Sequence, residues 1–199
     1  MIVWLNGAFG AGKTTAAFEL HRRLPGSFVY DPEEVGFFLR KNMPEACHTA
    51  DFQDMPLWRS FNYQILKELH ENYDGPVIVP MTLVEPAYFE EIVGRLKDEG
   101  VPVVHIILYA SRGTILKRLR KRNLGRLGGE SFAVEAIGRC LEFFDRPEAG
   151  IRIDTDGASV RQVVERIAAA CALELPPDRR GRLRREMDRM GTMIGHIRR

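Results

Sequence analysis

Eight residues near the start of the chain, Gly7, Ala8, Phe9, Gly10, Ala11, Gly12, Lys13 and Thr14, restrict the fold more than any other stretch. They have the spacing G-x-x-x-x-G-K-[ST], the Walker A pattern. An apolar run, 2–5, precedes them, and 12–24 follows with Phe18, Leu20 and Leu24 on a helical period. A glycine-rich turn between strand and helix aims backbone N–H groups inward, and the helix N-terminus adds partial positive charge. Such a loop cradles phosphates. It requires a strand end and a helix start at one point, which an open α/β sheet supplies.

The rest of the chain keeps the same alternation. Strands are predicted at 27–30, 77–79, 103–109 and 151–153, and helices at 32–41, 56–73, 86–99, 111–122, 130–144 and 159–171. The run 103–109 (V-V-H-I-I-L-Y) is apolar enough to be buried on both faces. Within 56–73, Leu57, Phe61, Ile65, Leu66 and Leu69 define an apolar face. Residues 123–129 are glycine-rich and read as a loop. The expectation is an α/β P-loop NTPase fold: a five-stranded parallel sheet with helices on both faces, formed by residues 1–175 and followed by a tail, 176–199.

Charge separates the tail from the body. The net charge of the 199 residues is +2, yet the tail carries eight arginines against Asp178, Glu186 and Asp188, a net of +5. The body is therefore mildly acidic, which argues against a nucleic-acid partner. Cys47, Cys140 and Cys171 fit neither a disulfide framework nor a zinc site and read as reduced thiols in a cytoplasmic protein. Neither a signal peptide nor a membrane-spanning run is visible. The five histidines lack metal-ligand spacing, and His105 reads as a hydrogen-bonded core residue.

The chemistry follows from the loop. ATP and Mg²⁺ are the expected cofactors. Residues Gly7 to Thr14, with Thr15, form the nucleotide cradle; Lys13 reaches the β/γ-phosphates, and Thr14 ligates Mg²⁺. Neither 77–81 nor 103–109 ends in the acid of a Walker B strand. Asp31, just after the second strand, has two readings: an N-cap ahead of Pro32, or an acid that holds Mg²⁺ through water or accepts a substrate proton. Arg118 and Arg122 lie one helical turn apart, and Arg126 follows. They read either as a solvated basic face or as the arginines of a lid, 118–135, closing over the phosphates. The Asp154 to Gly157 turn could sit beside the base.

Several words narrow the reading: W-L-N-G-A-F-G-A-G-K-T-T at 4–15, V-Y-D-P-E at 29–33, P-L-W-R at 56–59, I-V-P-M-T at 78–82 and R-G-R-L-R-R at 180–185. With these the chain resembles the bacterial tunicamycin-resistance ATP-binding proteins nearly end to end, near nucleoside-monophosphate kinases and chloramphenicol phosphotransferase. The resemblance implies ATP binding, a nucleoside-monophosphate-kinase-like fold and a uridine-containing, acylated antibiotic as ligand. It also implies that Asp31 is the base. In such kinases the stretch between the second and third strands, here 32–73, holds the acceptor. Asp31, Phe38, Arg40, Trp58, Arg59 and Tyr63 are its candidate contacts, with packing in the core the competing reading for most of the stretch.

The tail has an apolar stripe, Leu183, Met187, Met190, Ile194 and Ile197, among arginines. It reads as a basic amphipathic helix that lies on a membrane or docks on protein. The resemblance favours peripheral attachment to the inner face of the cell membrane. Three functions compete: phosphotransfer to a hydroxyl of tunicamycin or a similar nucleoside antibiotic, ATP-gated sequestration of the drug at the membrane, and phosphorylation of an ordinary nucleotide or metabolite.

Overall fold

The computed structural model describes residues 1–122, 137–138, 140–145 and 150–197. Five strands, β1 (Ile2–Asn6), β2 (Phe28–Val29), β3 (Val77–Pro80), β4 (Val103–Tyr109) and β5 (Ile151–Asp154), pair in the order β2-β3-β1-β4-β5. All four pairings are parallel, with Ile2 of β1 aligned to Val77 and Val103 on either side. Every residue of β1 is buried, as expected of a central strand covered on both faces.

Alternation along β1 creates two cores. Ile2 and Trp4 face α2 (Glu33–Asn42), α3 (Pro56–Asn72) and α4, which runs through Pro86–Phe89, a π turn at Glu90–Gly94 and Arg95–Asp98. Val3 and Leu5 face α1 (Lys13–Arg23) and α6 (Val160–Ala170). In a third cluster Ile115 of α5 (Arg112–Arg122) joins Ala8, Ile107, Ile137, Cys140 and Phe144. The five-stranded parallel sheet and its two helical layers are as expected. The loop at 123–129 and the first half of the helix expected over 130–144 lie outside the described residues.

One local expectation changes. The buried face of α3 is Trp58, Arg59, Asn62, Tyr63 and Leu66, whereas Leu57 is 40% exposed. The face turns because two polar residues on it find partners inside: Asn62 accepts from the Tyr30 hydroxyl at 2.7 Å, and Arg59 pairs with Glu91 at 2.6 Å. The three cysteines are free, and burial pushes the Cys171 thiol up to about 11, which suppresses thiolate chemistry.

The tail forms α7 (Arg182–Ile197), and it docks through polar groups. Arg180 bridges Glu19 of α1, Asp178 (2.9 Å) and Asp188 (3.1 Å). Arg22 donates to the Asp188 carbonyl at 3.0 Å and to the Thr192 hydroxyl. Leu183, Met187 and Met190 are left 82%, 61% and 54% exposed. No described helix is long and apolar enough to cross a membrane.

This docking has a pH signature. Hydrogen bonding to the Arg180 guanidinium holds the Asp178 carboxyl at about 2, below its ordinary 3.8. A folded-state pKa below the unfolded one means that this contribution is complete above about pH 4 and is lost as pH falls through about 2. Amide protection of α7 should therefore drop between pH 4 and pH 2 relative to α6 in hydrogen exchange. Arg180→Ala should show the drop at neutral pH.

Candidate functional site

The loop between β1 and α1 is set by its glycines and by a buried asparagine. Gly7 has φ 148°, and a Cβ there would meet the Leu108 carbonyl oxygen at 2.5 Å. Gly12, at φ 105°, caps α1 without a side chain, and the N-terminus of α1 opens onto the loop. Asn6 Oδ1 accepts from Gly7 N (2.9 Å) and Leu83 N (3.0 Å), while its Nδ2 donates to the Leu83 carbonyl at 2.7 Å. Asn6 Nδ2 also lies 3.1 Å from His105 Nε2, the hydrogen-bonded core position expected of that histidine. Thr82, just beyond β3, donates to the Gly7 carbonyl at 2.8 Å. The loop entry is thus clamped from β3.

Lys13 Nζ donates to the carbonyls of Gly7 (2.8 Å) and Ala8 (3.2 Å), which folds its ammonium across the loop. Phe9 stands partly exposed, its ring centroid 5.6 Å from that ammonium. Ala8 and Ala11 are buried, and Thr14 and Thr15 are half-buried in the first turn of α1. The cradle therefore has what a polyphosphate needs: a close backbone approach at Gly7, the N-terminus of α1 and a lysine. Among the described residues no three His, Cys, Asp or Glu side chains gather to hold a metal. A cation here would depend on Thr14 and the phosphates themselves.

Arg118 lies beside the loop. Its guanidinium donates to the Ala11 carbonyl (3.1 Å), the Gly10 carbonyl (3.4 Å), the Thr155 hydroxyl (3.0 Å) and the Thr155 carbonyl (2.9 Å). It ties the loop to the turn after β5. Arg122 ends α5; its side chain, Arg126 and residues 123–135 of the expected lid lie outside the described residues. The 154–157 turn has a structural job: Asp156 accepts from Ser111 N at the start of α5, and hydrogen bonds from Ser111 depress its pKa.

Asp31 stands at the C-terminal end of β2, on the same sheet edge as the loop. Its Oδ1 accepts from Glu33 N at 3.1 Å, although Pro32 rather than Asp31 occupies the cap position of α2. Asp31 also lines a cavity of about 730 Å³ between α1, β2 and α7. Burial first, and the Asp31 charge second, raise the pKa of Tyr30, so its phenol stays neutral.

The residues expected to contact the acceptor are dispersed. Phe38 is 56% exposed. Arg40 donates to the Thr49 and Ala50 carbonyls at 3.3 and 2.9 Å and lies over Phe52. The expectation that Trp58 and Tyr63 present faces to a ligand is corrected: both are core residues, Trp58 donating to the Pro32 carbonyl (3.0 Å) and Tyr63 to Glu99 (2.6 Å). Arg59 is buried against Glu91, the Gln53 carbonyl and the Tyr88 ring. Trp58, Arg59 and Tyr63 thus spend their polar groups on the protein's own partners. Sequence reasoning missed Asn6, Thr82 and Thr155. Only Asn6 carried a signal, a polar residue closing an apolar strand.

Sheet order, loop and lysine define a P-loop, kinase-type nucleotide-binding domain, and the AAA domain family model matches residues 2–147. The chain belongs to this family and, within it, to that of the tunicamycin resistance proteins. The structure of the tunicamycin resistance protein of Deinococcus radiodurans shares 37% identity with it at a TM-score of 0.74, over 88% of this chain and 98% of that one. A sugar kinase from Janibacter sp. HTCC2649 (17% identity, TM-score 0.59, 86% and 94% of the two chains) shares the fold. So does the Mycobacterium tuberculosis APS kinase CysC in complex with AMPPNP and APS (16%, 0.59, 86% and 96%). A search of curated proteins returns no match.

Proposed function

We propose that this chain is an ATP-dependent kinase that phosphorylates a hydroxyl of tunicamycin or a similar nucleoside antibiotic. The observation that carries the proposal is the placement of Asp31 and the Gly7 to Thr14 loop at the C-terminal ends of β2 and β1, on one edge of one sheet. In this reading Lys13 and the N-terminus of α1 hold the polyphosphate, with Thr14 on Mg²⁺. Mg-ATP, when bound, supplies the transferable phosphoryl group. Asp31 accepts the proton of the attacking hydroxyl or orients it. Arg118 keeps the loop in shape by holding the carbonyls of Gly10 and Ala11.

Incubation with Mg-ATP and tunicamycin, followed by mass spectrometry of the drug, tests this directly. A gain of one phosphoryl mass is expected, and Asp31→Asn should slow it by about 10²–10⁴-fold with ATP affinity kept. Tight drug binding without a mass change would replace transfer by sequestration; turnover of a common nucleotide instead would point to a metabolic kinase.

The exposed Leu183 and Met190 favour a second element, peripheral attachment to an anionic membrane, with Arg184 70% exposed beside them. In flotation with phosphatidylglycerol vesicles, the full chain should rise with the lipid and Leu183→Glu/Met190→Glu should not. Equal flotation of the two sinks the attachment.

A further inference from the structure

The cavity between α1, β2 and α7 has an arrangement that nothing above uses in full. One side is the edge strand β2 and the two residues after it, Phe28, Val29, Tyr30 and Asp31; three residue steps of extended chain span about 10 Å. The second side is α1, with Phe18 and Arg22, and the third is α7, with Met187, Asp188, Gly191 and Thr192. Its volume, about 730 Å³, lies within the about 300–1,000 Å³ range of small-molecule sites.

The polar groups along its length are tied to one another. Arg22 donates to the Asp188 carbonyl and Thr192, Thr192 donates to the Asp188 carbonyl at 3.1 Å, and the Asp188 carboxylate pairs with Arg180 and Arg184. The apolar part of the lining is Phe18, Phe28, Val29 and Met187, with the Tyr30 ring and the Gly191 backbone beside them. Phe28 is 43% and Met187 61% exposed, a cost that covering apolar surface would remove. Acid is concentrated where β2 ends, at Asp31 and Glu34. The site is therefore polar at the sheet edge that carries the phosphate loop and greasy along the strand behind it.

We propose that this cavity seats the acyl or alkyl chain of an amphiphilic ligand whose hydroxylated head lies at Asp31, with α7 as the outer wall. The head's position rests on the kinase reading above; the seat of the chain rests on the cavity alone. It moves the apolar part of the acceptor site from the 32–73 stretch to the opposite face of the sheet. It also gives the polar docking of α7 a purpose, since Arg180 and Arg22 hold the wall in place.

Gly191 makes the test sharp. It lines the cavity, a Cβ added there meets nothing within 4 Å, and it sits inside a helix, where replacing glycine improves helix propensity. Gly191→Leu should fill the space without unfolding the wall, which circular dichroism and a melting curve would check. Met187→Glu is the second variant, placing charge on the apolar side.

The probes are N-acylglucosamines with 4, 8 and 12 acyl carbons, titrated calorimetrically below their micellar concentrations. In the unmodified protein affinity should rise with chain length, by up to about fourfold per methylene buried. Gly191→Leu and Met187→Glu should weaken the 12-carbon probe at least tenfold, leaving the 4-carbon probe and ATP unaffected; Gly191→Ala should bind like the parent. Leu183→Glu/Met190→Glu, away from the cavity, should also bind like the parent. Affinity independent of chain length, or a 12-carbon affinity equal in the parent, Gly191→Leu and Met187→Glu, overturns the proposal. A chain-length gradient with no phosphate on tunicamycin leaves the cavity assignment standing and rejects only the transfer reading.

Discussion

Lys13→Ala should lower phosphoryl transfer by at least about 10²–10³-fold, the scale of removing one preorganised donor from a transition state. The ammonium spans the carbonyls of Gly7 and Ala8. Ligand binding has to draw it off those carbonyls, and it gains a charge-assisted contact in exchange. Without it the loop keeps its glycine geometry, because Gly7 is held by Asn6 and Thr82 rather than by the lysine. Melting temperature should therefore change little while transfer collapses. Titration with a fluorescent ATP analogue beside the transfer assay separates the two. An intact transfer rate in Lys13→Ala would remove the loop from the chemistry.

Trp58→Ala should destabilise the protein by about 3–5 kcal/mol, as expected for a large aromatic residue in a closed core. Trp58 is fully buried, packs beside Phe52 at 5.4 Å between ring centroids and leaves the Pro32 carbonyl without a donor when removed. Against a net stability of about 5–15 kcal/mol this is a large fraction. Urea unfolding measures the loss. Drug affinity, normalised to the folded fraction, should stay near that of the parent; a large affinity loss in a stably folded variant would return Trp58 to the ligand wall.

The two variants also mark where the sequence was readable. Strands and helices were visible because parallel strands buried on both faces leave apolar runs, and the loop because its spacing is tied to backbone geometry. The orientation of α3 was not visible. Periodicity counts only apolar residues, whereas this helix buries Arg59 and Asn62 against Glu91 and Tyr30, partners 32 residues away in each case. The same blindness affected the tail. Its apolar stripe suggested the docking face, but Glu19, Arg22, Arg180 and Asp188 provide the docking, and ion pairs across such separations leave no periodic trace. Arg118 was found by its position in a basic helix, while its partners, Ala11 and Thr155, emerged only with the fold.

The sheet ends in two unlike borders. On one side β2 has only two residues, Phe28 and Val29, too short to template an incoming strand. On the other, β5 carries Arg152, which lies over the Tyr109 ring and pairs with Asp145 and Asp154, so an approaching strand would meet charge. Both borders therefore resist edge-to-edge growth into larger sheets. A concentrated solution should show no gain in thioflavin-positive aggregate.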